Sequence, residues 1–140
     1  MRLSADAVRR LVSEARVATL ATIDPDGRPN LVPFCFALDA DTLYSGVDEK
    51  PKATKRLRRL ENVKRDPRVT VLVDHYEDDW ERAWWVRLRG QAAVIEGARR
   101  RHGMELLVEK YPQYREDPPT GDLVAIDVDD WLGWSSSPLE

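Results

Sequence analysis

Short turns join several segments whose residues alternate with a period of two. These turns restrict the topology that the chain can adopt. The stretch from Asp24 to Gly27 is typical of a hairpin turn, and it joins an alternating segment at 17–23 to another at 30–37. A second turn at 39–41 leads into a third such segment at 42–47. Connections this short cannot hold the crossover that parallel strands need. The sequence therefore predicts three consecutive antiparallel strands.

The rest of the chain changes between helical and strand periodicity. Apolar residues recur at helical spacing near the N-terminus, in a basic segment before Asp66 and again before Pro112. We predict a mainly β fold with attached helices (α+β), a six-stranded antiparallel barrel in a single domain over residues 1–140. The predicted strands are 17–23, 30–37, 42–47, 68–74, 84–95 and the first half of 123–134, and the predicted helices are 4–15, 51–65 and 98–111.

Individual residues define several boundaries of these elements. Ser4 is a suitable N-cap for the first helix, and Pro67 and Pro112 end the second and the third. Gly90 is expected to mark a β-bulge in its strand. Pro33 lacks the N–H that a strand ladder uses, so we expect it at a sheet edge, at a bulge or at a gap that faces a cofactor.

Composition and motif content exclude several classes of protein. The 140 residues have a mass of 16.1 kDa and are 42% hydrophobic, which suits one modest core and no second domain. No apolar run approaches the roughly 18 residues of a membrane-spanning helix. The polar N-terminus shows no secretory signal, so a cytoplasmic protein without a membrane partner is expected. The chain has no Gly-x-Gly-x-x-Gly motif and no Walker loop, which excludes a Rossmann dehydrogenase.

The sequence offers little for metal or nucleophile chemistry. Cys35 is the only cysteine, so no disulfide within the chain and no thiolate metal cage can form. Because its neighbours in the sequence are phenylalanines, we expect a packed thiol with no basic group nearby. His75 and His102 have no partner at ligand spacing and are expected at the surface, and the acidic loop at 74–81 lacks the order of a calcium loop. We predict no metal site, identify no catalytic residue, and expect a frayed tail at 135–137.

Positive charge is concentrated in one segment. Residues 50–68 contain nine basic side chains and two acidic ones, although the whole chain has a net charge of −3. A local basic patch on an acidic molecule favours a small anionic ligand over a nucleic acid, which needs many phosphate contacts. Lys50, Lys52 and Lys55 lie at the start of the predicted second helix, where free N–H groups and the helix dipole also favour a phosphate. The alternative is a solvated basic face without a ligand.

Five tryptophans in so short a chain also call for an explanation. They are Trp80, Trp84, Trp85, Trp131 and Trp134. Side chains of this size are common in cores and dimer interfaces. The more specific alternative is that some of them bind a planar ring.

The order of several short motifs resembles one known family along nearly the whole chain. This family is the pyridoxamine 5'-phosphate oxidase-like (PPOX class) split β-barrels, whose members bind FMN or the deazaflavin coenzyme F420. The passage from helix to strand at Asn62–Val69 is the most recognisable of the motifs. The others are Ala18–Thr22, Asp26–Pro29, Val32–Phe34, Leu43–Ser45, Lys50–Lys52 and Trp85–Ala92.

The resemblance implies an FMN-binding type of split barrel and the residues of a cofactor site. Val32, Pro33 and Phe34 would line the ring system, and Tyr44 and Ser45 would lie along the cofactor. The phosphate would be held by Lys50, Lys52 and Lys55. Since two chains share each site in the family, the resemblance also implies a homodimer, in which Trp85, Trp131 or Trp134 would come from the second chain or cover the ring.

Within the family, the segments Lys50–Thr54 and Asp78–Arg87 look most like the F420-dependent branch. F420 carries more negative charge than FMN, and the basic segment suits it, although the same patch would also hold FMN. The implied activity is hydride transfer between reduced F420 and a small-molecule substrate. The alternatives are an FMN-dependent oxidoreductase, a carrier or sensor without turnover, and a barrel that binds nucleic acid or protein. The C-terminus lacks the arginine-rich substrate residues of the true oxidases, so vitamin B6 oxidation is not implied.

Overall fold

The structure is a computed structural model that describes residues 1–47 and 54–139. Seven strands, four α-helices and one short 3-10 helix (Trp80–Arg82) are present in this described part of the chain. The strands are β1 (Ala18–Ile23), β2 (Pro29–Phe34), β3 (Ala37–Asp39), β4 (Thr42–Gly46), β5 (Arg68–His75), β6 (Trp84–Ile95) and β7 (Leu123–Ser135), and the helices are α1 (Ala5–Glu14), α2 (Thr54–Arg65), α3 (Gly97–Lys110) and α4 (Pro112–Glu116).

All seven strands belong to one antiparallel sheet in the order β2-β1-β5-β6-β7-β4-β3. Buried residues alternate with more exposed ones along β1 and β5, as the period of two requires. The main core combines this inner face with the apolar residues of α1 and α2, and a second cluster lies between α3 and β4. The predicted fold class, mainly β with attached helices, is confirmed, with seven strands in place of six.

The additional strand arises because the predicted strand at 30–37 is interrupted. β2 ends at Phe34 and β3 begins at Ala37. Between them, the backbone N–H of Phe36 donates to the Tyr111 hydroxyl at 3.0 Å, and its carbonyl accepts from Lys110 at 2.8 Å. The backbone of Phe36 therefore bonds to the end of α3 and leaves the strand ladder.

The predicted turns, cap and bulge are confirmed. Ser4 Oγ accepts from the N–H of Ala7 at 3.2 Å, and Gly27 has a positive φ of 86° in the first hairpin turn. The pairing of β6 with β7 shifts register between Arg89 and Gly90. A Cβ at Gly90 would collide with the backbone of Asp127, so only glycine fits this bulge without a shift.

The end of the chain differs from the prediction. The whole segment Leu123–Ser135 is a strand, because its second half pairs with β6 as far as Trp84. Ser135 is fully buried, its hydroxyl donates to the carbonyl of Ser137 at 2.7 Å, and its own carbonyl accepts from the N-terminal amine. The expected frayed tail is therefore wrong at Ser135. Pro112, predicted only to end a helix, also begins α4.

None of the helices in the described ranges is both long and apolar enough to span a membrane.

Candidate functional site

A surface groove lies beside the interruption between β2 and β3. It consists of two adjoining cavities of about 340 and 510 Å³, which share Cys35 and Tyr114. We call it the β2 groove. Its other described lining residues are Val17, Pro33, Phe34, Gly46 and Arg59 in the smaller cavity, and Arg16, Tyr111, Pro112 and Gln113 in the larger one.

Local backbone structure opens this groove. β2 is an edge strand of the described sheet, so Pro33 is placed where a missing N–H interrupts no second ladder. Phe34 is buried and its ring packs on that of Phe36, with 5.4 Å between the ring centroids. Behind the interruption, Ser45 Oγ donates to the carbonyl of Cys35 at 2.8 Å and ties β4 to this segment. These two contacts fix the wall of the groove on the side that faces the core.

The end of α3 supports the other side of the groove. The Tyr111 hydroxyl lies 2.8 Å from the carbonyl of Arg16, to which it donates, and burial raises the pKa of Tyr111 to about 12. Lys110 Nζ donates to the carbonyls of Ala15 and Phe36 at 2.6 and 2.8 Å. Burial lowers the pKa of Lys110 to about 8, and the positive charge of Arg16 adds to this effect.

Arg59 places a positive charge in the smaller cavity. It is buried and belongs to α2, whose position is fixed by Asn62 on the same helix. Asn62 is also buried, and its Nδ2 donates to Thr22 Oγ1 at 3.0 Å and to Asp24 Oδ1 at 2.9 Å. The first hairpin and α2 are thereby joined.

The charged residues in the described lining of the groove are all positive. Its described lining includes two arginines, Arg16 and Arg59, and contains neither aspartate nor glutamate. A groove of this kind attracts an anion, and its aromatic and proline surfaces suit a planar, largely apolar group.

The structure brings together only some of the residues predicted for the cofactor site. Pro33 and Phe34 line the β2 groove. Val32 packs on the main core, and Ser45 lies behind the groove, bonded to Cys35. Tyr44 is buried, with its ring edge-on to His102 on α3, and does not line the groove.

The remaining predicted site residues lie elsewhere. Lys50 and Lys52 are outside the described residues, and so is the side chain of Lys55. Trp85 and Trp134 are opposite each other on β6 and β7, on the outer face of the sheet. Their contacts with a cofactor stay predictions.

Sequence reasoning missed Arg59, Tyr114 and the support given by Lys110 and Tyr111. The signal for Arg59 was its place in the basic segment, but nothing in the spacing showed that it would be buried. Lys110 and Tyr111 contact residues more than 70 positions away in the chain. The expectation that no basic group lies near Cys35 also needs correction, since Cys35 lines the same cavity as Arg16 and interacts electrostatically with Lys110.

The two histidines lie at the surface, as predicted, and neither lines the groove. His75 Nε2 is 2.5 Å from Glu77 and the ring stacks on Trp84, whereas His102 Nε2 is 2.6 Å from Asp39. Across residues 1–47 and 54–139, no group of three or more His, Cys, Asp or Glu side chains is arranged to hold a metal ion.

A family model for pyridoxamine 5'-phosphate oxidase matches residues 4–135. The chain therefore belongs to the pyridoxamine 5'-phosphate oxidase family, and its sheet and helices form the split-barrel fold of that family.

Solved structures show the same fold at low sequence identity. A putative 5-nitroimidazole antibiotic resistance protein from Bacteroides thetaiotaomicron is 18% identical, with a TM-score of 0.77 over 95% of this chain and 85% of that one. A FAD-binding protein from Mesorhizobium loti is 22% identical, with a TM-score of 0.71 over 95% of each chain. A heme storage protein from Vibrio cholerae is 16% identical, with a TM-score of 0.74 over 94% of each chain.

Proposed function

We propose that this protein is an oxidoreductase of the PPOX class that uses coenzyme F420, with FMN as the alternative cofactor. The reaction is hydride transfer between the reduced cofactor and a small organic molecule. The observation that carries the proposal is the β2 groove, in which Arg16 and Arg59 are the charged residues of the described lining.

The chemistry of the lining fits such a cofactor. Pro33, Phe34 and Tyr114 offer apolar and aromatic surface to a planar ring system. Arg59 is a buried residue, and its guanidinium suits a phosphate because hydrogen bonds between charged groups are stronger than neutral ones. The two cavities also lie in the range of about 300–1,000 Å³ that is common for small-molecule sites. The proposal keeps the sequence prediction that Lys50, Lys52 and Lys55 hold the phosphate.

When bound, the cofactor supplies the site that gives or accepts hydride. The protein's part is to hold the phosphate at Arg59, to keep the ring against Pro33 and Phe34, and to exclude water. Lys110 and Tyr111 contribute indirectly, because they fix the backbone of Phe36 behind the groove.

The position of Arg16 favours F420 over FMN. The two arginines line different cavities of the groove and so offer two separate places for negative charge. FMN has one phosphate, whereas F420 has a phosphodiester and an acidic tail. FMN nevertheless has only one phosphate for Arg59 to hold, and a FAD-binding protein is among the structures with this fold.

The proposal includes a homodimer that shares its cofactor sites. Trp134 remains 37% exposed and Trp85 is partly exposed beside it, although both are large aromatic residues. Side chains of this kind suit the cover of a ring or a surface between two copies of the chain.

A carrier or sensor without turnover is the second candidate. It is favoured by the absence of aspartate, glutamate and histidine from the described lining, which leaves no carboxylate or imidazole for proton transfer. The similarity in fold to a heme storage protein is in keeping with this second candidate.

Replacement of Arg59 tests the cofactor site. We expect Arg59→Met to weaken the binding of F420 at least about tenfold, because it removes a charge-assisted contact worth roughly 1.5–3 kcal/mol. The matched control is Arg58→Met, whose side chain is exposed on the same helix and should leave affinity within about twofold. Fluorescence titration of both variants and the wild type, with F420 and FMN in parallel, measures the effect.

Equal affinity in all three proteins would contradict the proposed site. If cofactor binds as expected but no substrate from a broad screen is reduced, the carrier is the better account. Replacement of Lys50 and Lys52 by alanine should lower affinity as well, by about 1–3 kcal/mol for each lysine that binds the phosphate.

A further inference from the structure

A third cavity lies between the end of α1, β3 and the C-terminal end of α3. Its volume is about 640 Å³, which is larger than either cavity of the β2 groove. It shares Arg16 and Pro112 with the larger cavity of the groove, so the two sites adjoin. We call it the α1–α3 cavity and define it by Glu14, Leu38, Leu106, Glu109, Lys110 and Arg115.

The positive side chains of the α1–α3 cavity bond to backbone carbonyls. Lys110 Nζ donates to two of them. Arg115 Nε donates to the carbonyl of Val108 at 3.0 Å, and its Nη2 donates to the carbonyl of Glu109. Neither side chain forms an ion pair with a carboxylate among the residues that the structure describes. Since a guanidinium has five N–H donors, Arg115 keeps donors for a ligand.

Positive charge is also crowded at this end of the cavity. Arg16 Nη1 donates to the carbonyl of Lys110 at 2.8 Å. The Arg16 guanidinium and the Lys110 ammonium lie 5.8 and 5.3 Å from the centroid of the Tyr111 ring. After burial, the charge of Arg16 is the next cause of the lowered pKa of Lys110. Like charges this close are unfavourable without an anion beside them, so the cavity favours a carboxylate or a similar group.

The same cavity contains negative charge. Glu109 is exposed, and in the described part of the chain its carboxylate has neither a hydrogen bond nor an ion pair. Glu14 lies 3.9 Å from Arg10 on the same helix, a contact that solvent screens because both side chains are largely exposed. A ligand with negative charge alone would be repelled by these carboxylates, whereas an ammonium group would be attracted.

The remaining part of the lining is apolar and held in place. Leu38 packs on the main core, and Leu106 packs on the second cluster. A cavity with charged groups of both signs and a fixed apolar wall suits a ligand that combines a carboxylate, an ammonium group and an apolar side chain.

We propose that the α1–α3 cavity binds a free α-amino acid with an apolar side chain. Its carboxylate contacts Lys110 and Arg115, its ammonium group contacts Glu109, and its side chain lies against Leu38 and Leu106. This site goes beyond the proposed function, because it requires neither F420 nor FMN.

L-Phenylalanine and two of its derivatives test which charges the site recognises. N-Acetyl-L-phenylalanine lacks the ammonium group, and L-phenylalaninamide lacks the carboxylate. Each derivative should bind the wild type at least about fivefold more weakly than L-phenylalanine, because one charged contact is lost. NMR titration of ¹⁵N-labelled protein without cofactor measures the three dissociation constants. The backbone amides of Leu38 and Leu106 should shift during the titration.

Substitutions in the cavity assign each charge of the ligand to its partner. Glu109→Gln should weaken the binding of L-phenylalanine about fivefold but not that of N-acetyl-L-phenylalanine, which has no ammonium group. Arg115→Gln should weaken L-phenylalanine similarly but not L-phenylalaninamide, and circular dichroism verifies that its helices are retained. The matched control is Glu105→Gln, which changes an exposed carboxylate of α3 outside the cavity and should leave all affinities within about twofold.

Three results would overturn the proposal. They are equal affinities for the three compounds, equal affinities in the cavity variants and the control, and no saturable shift up to the solubility limit of L-phenylalanine. F420 and FMN are titrated separately into the wild type and Arg115→Gln, which should bind them alike because Arg115 does not line the β2 groove. A wild type that binds L-phenylalanine as expected but neither cofactor would reject the proposed function and leave this site standing.

Discussion

At the scale of single residues, Tyr111 and Lys110 matter because they replace a strand ladder. The backbone of Phe36 has left the sheet, and its N–H and carbonyl groups are bonded by these two side chains. A buried backbone group without a partner is costly, so the interruption between β2 and β3 depends on them. The β2 groove lies at this interruption, which links the two residues to the proposed site.

Removal of the Tyr111 hydroxyl should destabilise the fold. Tyr111→Phe leaves the buried N–H of Phe36 without an acceptor, and we expect the free energy of unfolding to fall by about 1–3 kcal/mol. Urea denaturation measures this change. Tyr76→Phe is the control, because Tyr76 is exposed and its replacement should change stability by less than about 0.5 kcal/mol. Equal stability of the two variants would show that the Tyr111 hydroxyl does not support Phe36.

The raised pKa of Tyr111 adds a test in alkali. Its native pKa of about 12 exceeds the ordinary value of 10.0, so the native state holds the proton more tightly than the unfolded state. The native state is therefore favoured below pH 10 and loses this advantage as the pH rises toward 12. Wild-type stability should fall more than that of Tyr111→Phe between pH 10 and 12, measured by urea denaturation. If the stability of the two proteins changes in parallel between pH 10 and 12, the loss of stability does not come from Tyr111.

Lys110 should show the opposite dependence on pH. Its native pKa of about 8 lies below the ordinary 10.5, so the unfolded state binds more protons between these values. Stability then rises with pH across that window. The difference in unfolding free energy between the wild type and Lys110→Met should increase from pH 8 to pH 10. A difference that is constant over this range would contradict this explanation of the Lys110 pKa.

At the scale of elements, Asn62 joins α2 to the hairpin of β1 and β2. Its side-chain amide bonds to Thr22 and Asp24, and Asn62 Oδ1 accepts from Arg65 at 3.1 Å. Asn62→Leu should lower the unfolding free energy by about 1–3 kcal/mol, because buried hydrogen-bonding groups lose their partners. It should also weaken F420 binding, since Arg59 lies on the same helix. Loss of stability with unchanged affinity would show that Asn62 does not position Arg59 for cofactor binding.

Gly90 is the second element-scale test, because the bulge between β6 and β7 leaves no space for a side chain. A Cβ at Gly90 would lie 2.9 Å from the carbonyl carbon of Asp127 and 3.0 Å from Val128 Cα. Both are backbone atoms, so Gly90→Ala should cost about 1–3 kcal/mol of unfolding free energy. Gly27→Ala has open space but a positive φ and should cost only about 1 kcal/mol. An equal or smaller cost at Gly90, in thermal or urea unfolding, would contradict the steric account.

The contrast between predicted and observed elements has a physical reason. Ser4, Gly27 and Pro67 act on their immediate neighbours, so the sequence alone located the cap, the hairpin turn and the end of α2. The interruption after Phe34 depends on the distant Lys110 and Tyr111, and alternation could not reveal it. In the same way, the resemblance predicted Pro33 and Phe34 beside a cofactor ring, whereas the burial of Arg59 depends on how α2 packs and was not predicted.

At the scale of the whole molecule, the interruption between β2 and β3 produces a groove beside the edge strand of the sheet. The β2 groove is lined by arginines and aromatic residues and suits an anionic, planar cofactor. Membership of the pyridoxamine 5'-phosphate oxidase family agrees with this interpretation of the groove.

Titration of the purified wild-type chain with F420 and, in parallel, with FMN tests whether the protein binds a deazaflavin cofactor. Cofactor fluorescence and quenching of the five tryptophans are followed in the same sample. The account predicts saturable binding of F420 with a dissociation constant on the order of micromolar, and weaker binding of FMN. Preference for FMN would move the protein to the flavin-dependent alternative, and binding of neither cofactor would contradict the account.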